Sequence, residues 1–148
     1  MTSYSHAKPW EEEDVGISIT AGMDSPWLTN AVVIDLPKAV REFREYGFVR
    51  KLLETTVDCW APSMAVVTSS SFREKLGDSG GGRTIGWMTW FSDSSVRKAL
   101  PKGIDHEPLA SGLLVTTAHE AVSPEAPAHV ATALQIRDNL VRSGFLRD

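Results

Sequence analysis

The chain has 148 residues, of which 42% are hydrophobic and 23% charged, and this is enough to close a hydrophobic core without metal or disulfide support. The composition excludes wholesale disorder and fibrous or collagen-like classes. Nineteen acidic against fifteen basic side chains give a formal charge of −4, the wrong sign for general phosphate-backbone binding, so no direct nucleic-acid contact is expected and a basic partner is mildly favoured.

The single cysteine, Cys59, excludes an internal disulfide and a cysteine-based zinc site and fits a reducing compartment. Its neighbours Val57 and Trp60 point to a buried thiol. Met1 to Trp10 holds one lysine and no apolar run follows it, unlike a secretory signal or transit peptide. No stretch approaches the roughly 20 apolar residues of a membrane helix, so a cytoplasmic protein with no membrane partner is expected.

Residues 1–13 read as a loosely attached amino-terminal arm, because Ser, His, Lys, Pro and a Glu run have little to bury. Val15, Ile17 and Ile19 then alternate with Gly16, Ser18 and Thr20, the pattern of a half-buried strand. Gly22 to Pro26 supplies turn residues, and Asn30 to Ile34 forms a second apolar strand. Asp35-Leu36-Pro37 is a helix-start signal, followed by Ala39, Val40, Phe43 and Tyr46 at helical spacing. Gly47 is expected to break or bend that helix. Val49, Leu52, Leu53 and Val57 carry its apolar stripe on toward Trp60, with Arg41, Arg44, Glu45, Arg50, Lys51 and Glu54 on a solvated face.

Pro62 ends this segment, Met64 to Thr68 is β-branched enough for a strand, and Ser71 to Leu76 reads as one or two helical turns. Gly77 to Gly82 is a glycine-rich loop. Thr84 to Phe91 is expected to be a central strand with Ile85, Trp87 and Phe91 on one face and Met88 and Trp90 on the other. Ile104 to Leu109 is a short edge strand and Gly112 to Thr117 a firmer one. Pro127 opens a last helix whose apolar arc is Val130, Ala133, Leu134, Ile136, Leu140 and Val141, with Arg137, Asp138, Asn139 and Arg142 outward. Gly144 should cap it in the left-handed conformation, with Phe145 or Leu146 folding back. This order predicts an α+β fold: one domain over residues 1–148, with an antiparallel or mixed sheet of about four to six strands packed against two to four helices.

Several strings invite a catalytic reading. Gly77-Asp78-Ser79-Gly80-Gly81 matches the nucleophile loop of trypsin-like serine proteases, and Thr116-Thr117-Ala118-His119 echoes their histidine segment. In that family, however, the histidine precedes the serine and two six-stranded barrels are needed, whereas here His119 follows Ser79 in a chain too short for barrels. A small hydrolase using Ser79 and His119, with Asp78, is the alternative, since a triad is defined by geometry rather than by order. Gly80-Gly81-Gly82-Arg83 lacks the Gly-Lys-Ser/Thr ending of a P-loop. His6, His106, His119 and His129 show no i, i+4 pair for a metal, and Asp105-His106-Glu107 reads as a solvated polar run, so neither a metal site nor a cofactor is expected. His129, near the start of the last helix, reads as structural. Trp60 and Trp87 lie in apolar patterns and read as core.

The stretch Trp10, Glu11, Glu12, Glu13, Asp14, together with Trp27, combines carboxylates with aromatic anchors in loops beside Pro9 and Pro26. That is the composition of interface hot spots. A binding protein without catalytic residues of its own is therefore the favoured class, with a non-catalytic regulatory subunit as its plainer form.

Gly86-Trp87-Met88-Thr89-Trp90, the strand Gly112 to Thr117, the helix start Pro127-Ala128-His129-Val130 and the segment Ala61 to Ser69 after a helix together resemble the immunity protein 52 family. The likeness covers roughly Leu36 to Leu146. It implies a cytoplasmic bacterial antitoxin that binds a cognate polymorphic toxin and blocks it. Such toxins commonly carry a nuclease domain and include effectors delivered by type VI secretion. A nuclease holds phosphates with positive charge, so the inhibitor would present carboxylates. Asp24, Asp78, Asp93 and Asp105 join Glu11 to Asp14 as candidate contacts. Gly86, Trp87, Thr89 and His129 are poor candidates, because they can define the fold.

Overall fold

The computed structural model describes residues 16–20, 31–35, 40–77 and 84–146. The chain divides into two compact units, Met1–Arg44 and Glu45–Asp148. In the first, β1 (Gly16–Thr20) and β2 (Ala31–Asp35) pair antiparallel, with Ile17 opposite Ile34 and Ile19 opposite Val32. Cross-strand pairs of β-branched residues suit a pleated surface. Both expected strands are thus present. Asp35, read as a helix cap, is instead the last residue of β2 and pairs with Gly16. Arg41–Arg44 forms only a short 3-10 turn. The expected arm at 1–13 lies outside the described residues.

The second unit begins with α1 (Tyr46–Trp60). Its preceding residue Glu45 is extended, at φ −89° and ψ 124°, so the helix does not continue from the 3-10 turn. Gly47 therefore sits in the first turn rather than breaking a longer helix; helical spacing alone had joined two segments that the backbone at Glu45 separates. Val49, Leu53 and Val57 are buried at four-residue intervals. Ala61 ends the helix in the left-handed region at φ 43°.

Four antiparallel strands follow: β3 (Met64–Val67), β4 (Met88–Phe91), β5 (Asp105–Leu109) and β6 (Gly112–Thr116), in the order β3-β4-β6-β5. A helical segment, α2 (Ser70–Lys75), leaves β3, with the Ser69 hydroxyl accepting the Phe72 N–H at 3.2 Å as its cap. The last helix is α3 (Pro127–Arg142). The expected α+β class holds, and the sheets are antiparallel throughout.

Strand alternation divides the core into two clusters. Met88, Trp90 and Leu114 pack with Trp87, Leu109 and the α1 residues Val49, Leu53 and Val57. Ile85, Phe91, Leu113 and Val115 pack with Phe72 and Leu76 around α2, and with Ala133, Ile136 and Leu140 of α3. One helix thus covers one face and two cover the other. β4, with all four residues buried, is the expected central strand. Trp87 differs from expectation: it joins Met88 and Trp90 rather than Ile85 and Phe91, because the strand begins only at Met88 and the period of two does not extend back to it.

Two glycines set how closely these layers approach. A Cβ on Gly86 would lie 2.2 Å from the Val67 carbonyl oxygen, and one on Gly112 would lie 2.1 Å from the Phe91 oxygen and 2.6 Å from the Trp90 ring. Neither space can take a methyl group. At the other end of the unit, Gly144 adopts φ 77°, and the Phe145 and Leu146 amides both return to the Leu140 carbonyl, at 2.9 and 3.2 Å. Leu146 is buried there, as the capping pattern predicted.

The cysteine and one tryptophan depart from expectation. Cys59 is exposed, because each helical residue rotates by about 100° and Cys59 falls off the Val49-Leu53-Val57 stripe. Trp60 lies on the stripe by angle but closes the helix, and half of it remains exposed. Periodicity sets a side chain's direction, not whether anything stands opposite.

Two outcomes follow. Gly112→Ala should destabilise the protein by about 2–3 kcal/mol in chemical denaturation, through overpacking against backbone and ring. Cys59 should react with a thiol reagent in the folded protein at a rate within about tenfold of the unfolded chain, where a buried thiol would be protected far more.

Candidate partner-binding site

Alternation on β5 puts Asp105 and Glu107 on the same face, opposite Thr116 and Leu114 of β6. That face is the one covered by α1. Arg50, one turn into the helix, reaches Glu107 in a two-pronged contact, Nε to Oε1 at 2.7 Å and Nη2 to Oε2 at 3.1 Å. Glu54 adds a longer contact to Arg50 at 4.0 Å. The hydrogen bonds from Arg50 hold the Glu107 carboxyl below its ordinary value against an opposing contribution from burial, and the same contact raises Arg50. Arg50 is therefore not a solvated surface residue, and Glu107 is not part of a merely polar run.

Tyr46 organises the neighbouring end of this face. Its hydroxyl is 3.0 Å from Thr116 Oγ1, its ring meets Trp87 edge-on at 6.3 Å, and it lies 5.9 Å from the His119 ring. His119 Nε2 is 3.4 Å from Asp105 Oδ2, and both side chains face solvent, at 80% and 57% exposure. Tyr46, Asp105 and His119 thus form an accessible polar and aromatic patch on a base fixed by Arg50 and Glu107. The patch presents a carboxylate to solvent.

Among the expected partner-binding residues, Asp105 is placed in this patch. Asp93 stands elsewhere, before the 3-10 segment Ser94–Ala99, where its Oδ1 accepts the Ser95 N–H at 2.9 Å. Hydrogen bonds from Ser95 hold its carboxyl below the ordinary value. It is exposed, with its capping role already engaged. Trp10, Glu11, Glu12, Glu13, Asp14, Asp24, Trp27 and Asp78 lie outside the described residues, as does Ser79. His119, the other half of the hydrolase alternative, is engaged with Asp105 and Tyr46. No group of three or more metal-ligating side chains is found among the described residues.

The motif residues have specific structural work. Thr89 Oγ1, fully buried, accepts the Gly86 N–H at 3.1 Å, and Thr117 Oγ1 donates to the Gly86 carbonyl at 2.6 Å. Trp87 Nε1 donates to the Ala118 carbonyl and Trp90 Nε1 to the Leu109 carbonyl, each at 2.9 Å. Compared with protein families, the sequence matches Immunity protein 52 over residues 3–148. The chain belongs to the immunity protein 52 family. A search of curated proteins finds no match. In this immunity protein, Gly86, Trp87 and Thr89 hold the central strand and its flanks, which explains why they read as fold-defining. No described helix is long and apolar enough to cross a membrane.

Sequence reasoning missed Tyr46 and the Arg50–Glu107 pair. The i, i+2 spacing of Asp105 and Glu107 was a usable signal that they share a face; their helical partner was not legible. In a double-mutant cycle, Arg50→Ala and Glu107→Ala should couple by about 0.5–1 kcal/mol, the range for a partly exposed two-pronged pair. Because Glu107 titrates lower when folded, its contribution should be present above its ordinary value of 4.5 and fade as pH falls through the folded value. Glu107→Gln should flatten that part of the stability profile.

Proposed function

We propose that this immunity protein binds and neutralises a cognate toxin in the bacterial cytoplasm, and that the toxin is a nuclease effector of the polymorphic or type VI-delivered kind. The observation that carries the reading is the family match across residues 3–148. Charge supports the nuclease part: the chain is net negative at −4, and a nuclease surrounds its phosphate site with positive charge. Exposed Asp105, backed by the fixed Arg50–Glu107 pair, supplies one carboxylate of the contact surface. The acidic and aromatic residues Trp10 to Asp14, Asp24, Trp27, Asp78 and Asp93 supply the rest. The protein performs no chemistry on its partner; it works by occupying a surface.

Co-expression of the full chain should rescue cells from the toxin encoded beside its gene, and the purified pair should form a complex. A neighbouring gene product without toxicity, or one that the chain does not bind, overturns the reading. Reversing Glu12 and Glu13 to Lys should slow association severalfold, most strongly at low salt, measured by stopped flow or surface-based kinetics. An unchanged association rate would remove these two residues from the interface.

A further inference from the structure

Within the connection from β6 to α3, residues 117–126, Val122 packs against the core cluster that includes α3, and a histidine at the start of α3 adds side-chain hydrogen bonds to the segment. His129 is the third residue of the helix, and only 13% of its side chain is exposed. Its Nδ1 accepts the Ser123 backbone N–H at 3.1 Å, and its Nε2 lies 2.9 Å from Glu120 Oε1. A backbone amide can only donate, so Nδ1 must carry a lone pair, and the single proton of the neutral ring sits on Nε2, where it donates to the carboxylate. Both ring nitrogens are committed.

The arrangement extends the logic of a capping box, in which the third helical side chain returns to a backbone amide upstream. Ala126, at the cap position, supplies no side-chain hydrogen bond, and the returning bond reaches Ser123 instead. The Ser123 hydroxyl accepts the Glu125 N–H at 3.3 Å and also meets the Glu125 carboxylate, closing the turn before the helix.

We propose that His129 is a protonation-sensitive latch: a proton taken from solvent onto Nδ1 sets two donors face to face, releases the Ser123 amide and loosens the 117–126 connection from α3. The Glu120 contact survives protonation, so the loss is confined to the Ser123 side. The charged groups facing the ring act in both directions. Glu120 favours the protonated ring and is itself held below its ordinary value by the His129 hydrogen bond, with a further contribution from His119. The positive end of α3 opposes the protonated ring. Glu125, bound to Ser123 and influenced by Lys75 of α2, is the remaining carboxylate at the turn. The same connection carries His119 and its contact with Asp105, so loosening it changes the anchoring of one exposed patch.

The test uses the full chain at about pH 7.5 and about pH 5, on either side of the ordinary histidine range. Long-range proton–nitrogen correlation of the His129 ring should show Nδ1 unprotonated and Nε2 protonated at the higher pH. Hydrogen-exchange protection of the Ser123 amide, corrected for intrinsic exchange, should fall about three- to tenfold at the lower pH while β4 amides hold. His129→Asn, which keeps an acceptor at the Nδ1 position and cannot titrate, should show pH-independent protection. A proton on Nδ1 at the higher pH, unchanged Ser123 protection, or an equal fall in His129→Asn would each overturn the latch. Should His129→Asn not fold, the ring spectrum and the exchange of the unaltered protein decide the matter alone.

Discussion

The burial of β4 on both faces is the constraint from which the second unit follows. A four-residue strand with no exposed side chain needs apolar cover above and below, and α1 on one face and α2 with α3 on the other supply it. It also needs every polar group in its neighbourhood to find a partner, because an unpaired buried donor or acceptor costs about 1–3 kcal/mol. Thr89, Trp87 and Trp90 meet this demand: the threonine satisfies the Gly86 amide, and the indoles satisfy the carbonyls of Ala118 and Leu109. The tryptophans fill the apolar layer and tie it to the loops at the same time.

Close approach is the second half of the same constraint. Gly86 and Gly112 stand where neighbouring carbonyl oxygens or the Trp90 ring leave no room for a Cβ, so the layers reach their packed distance only with glycine there. The segment Gly86 to Trp90 is thus committed to the packing of the sheet.

On the α1 face, structure and presentation meet. Arg50 and Glu107 bind helix to edge strand, Tyr46 bridges α1 to Thr116 and the Trp87 ring, and Asp105 and His119 are left facing solvent on this base. For a binding protein such support matters, since a carboxylate on a fixed base loses less freedom when a partner arrives than one on a mobile side chain. His129 performs a related task at the start of α3, tying the connection that carries His119 and Glu120.

Much of this fold was legible in the amino-acid order. Alternation located β1, a short apolar run located β2, the apolar arc and glycine cap defined α3 and its end, and the doubly apolar run around Trp90 marked the central strand, because each signal is local to its element. The expectations that failed depended on what stands opposite. Helical spacing joined Phe43 to Tyr46 across an extended Glu45, placed Trp60 in a core that does not reach it, and took Cys59 for a buried thiol. Likewise Arg50 and Glu107 were each read as solvated, although they meet across 57 residues of chain. Composition and periodicity establish which way a side chain points and what charge it carries. Only tertiary packing brings Arg50 over Glu107, Tyr46 over His119 and the His129 ring under the Ser123 amide, since those contacts join elements whose separation in sequence carries no record of their separation in space.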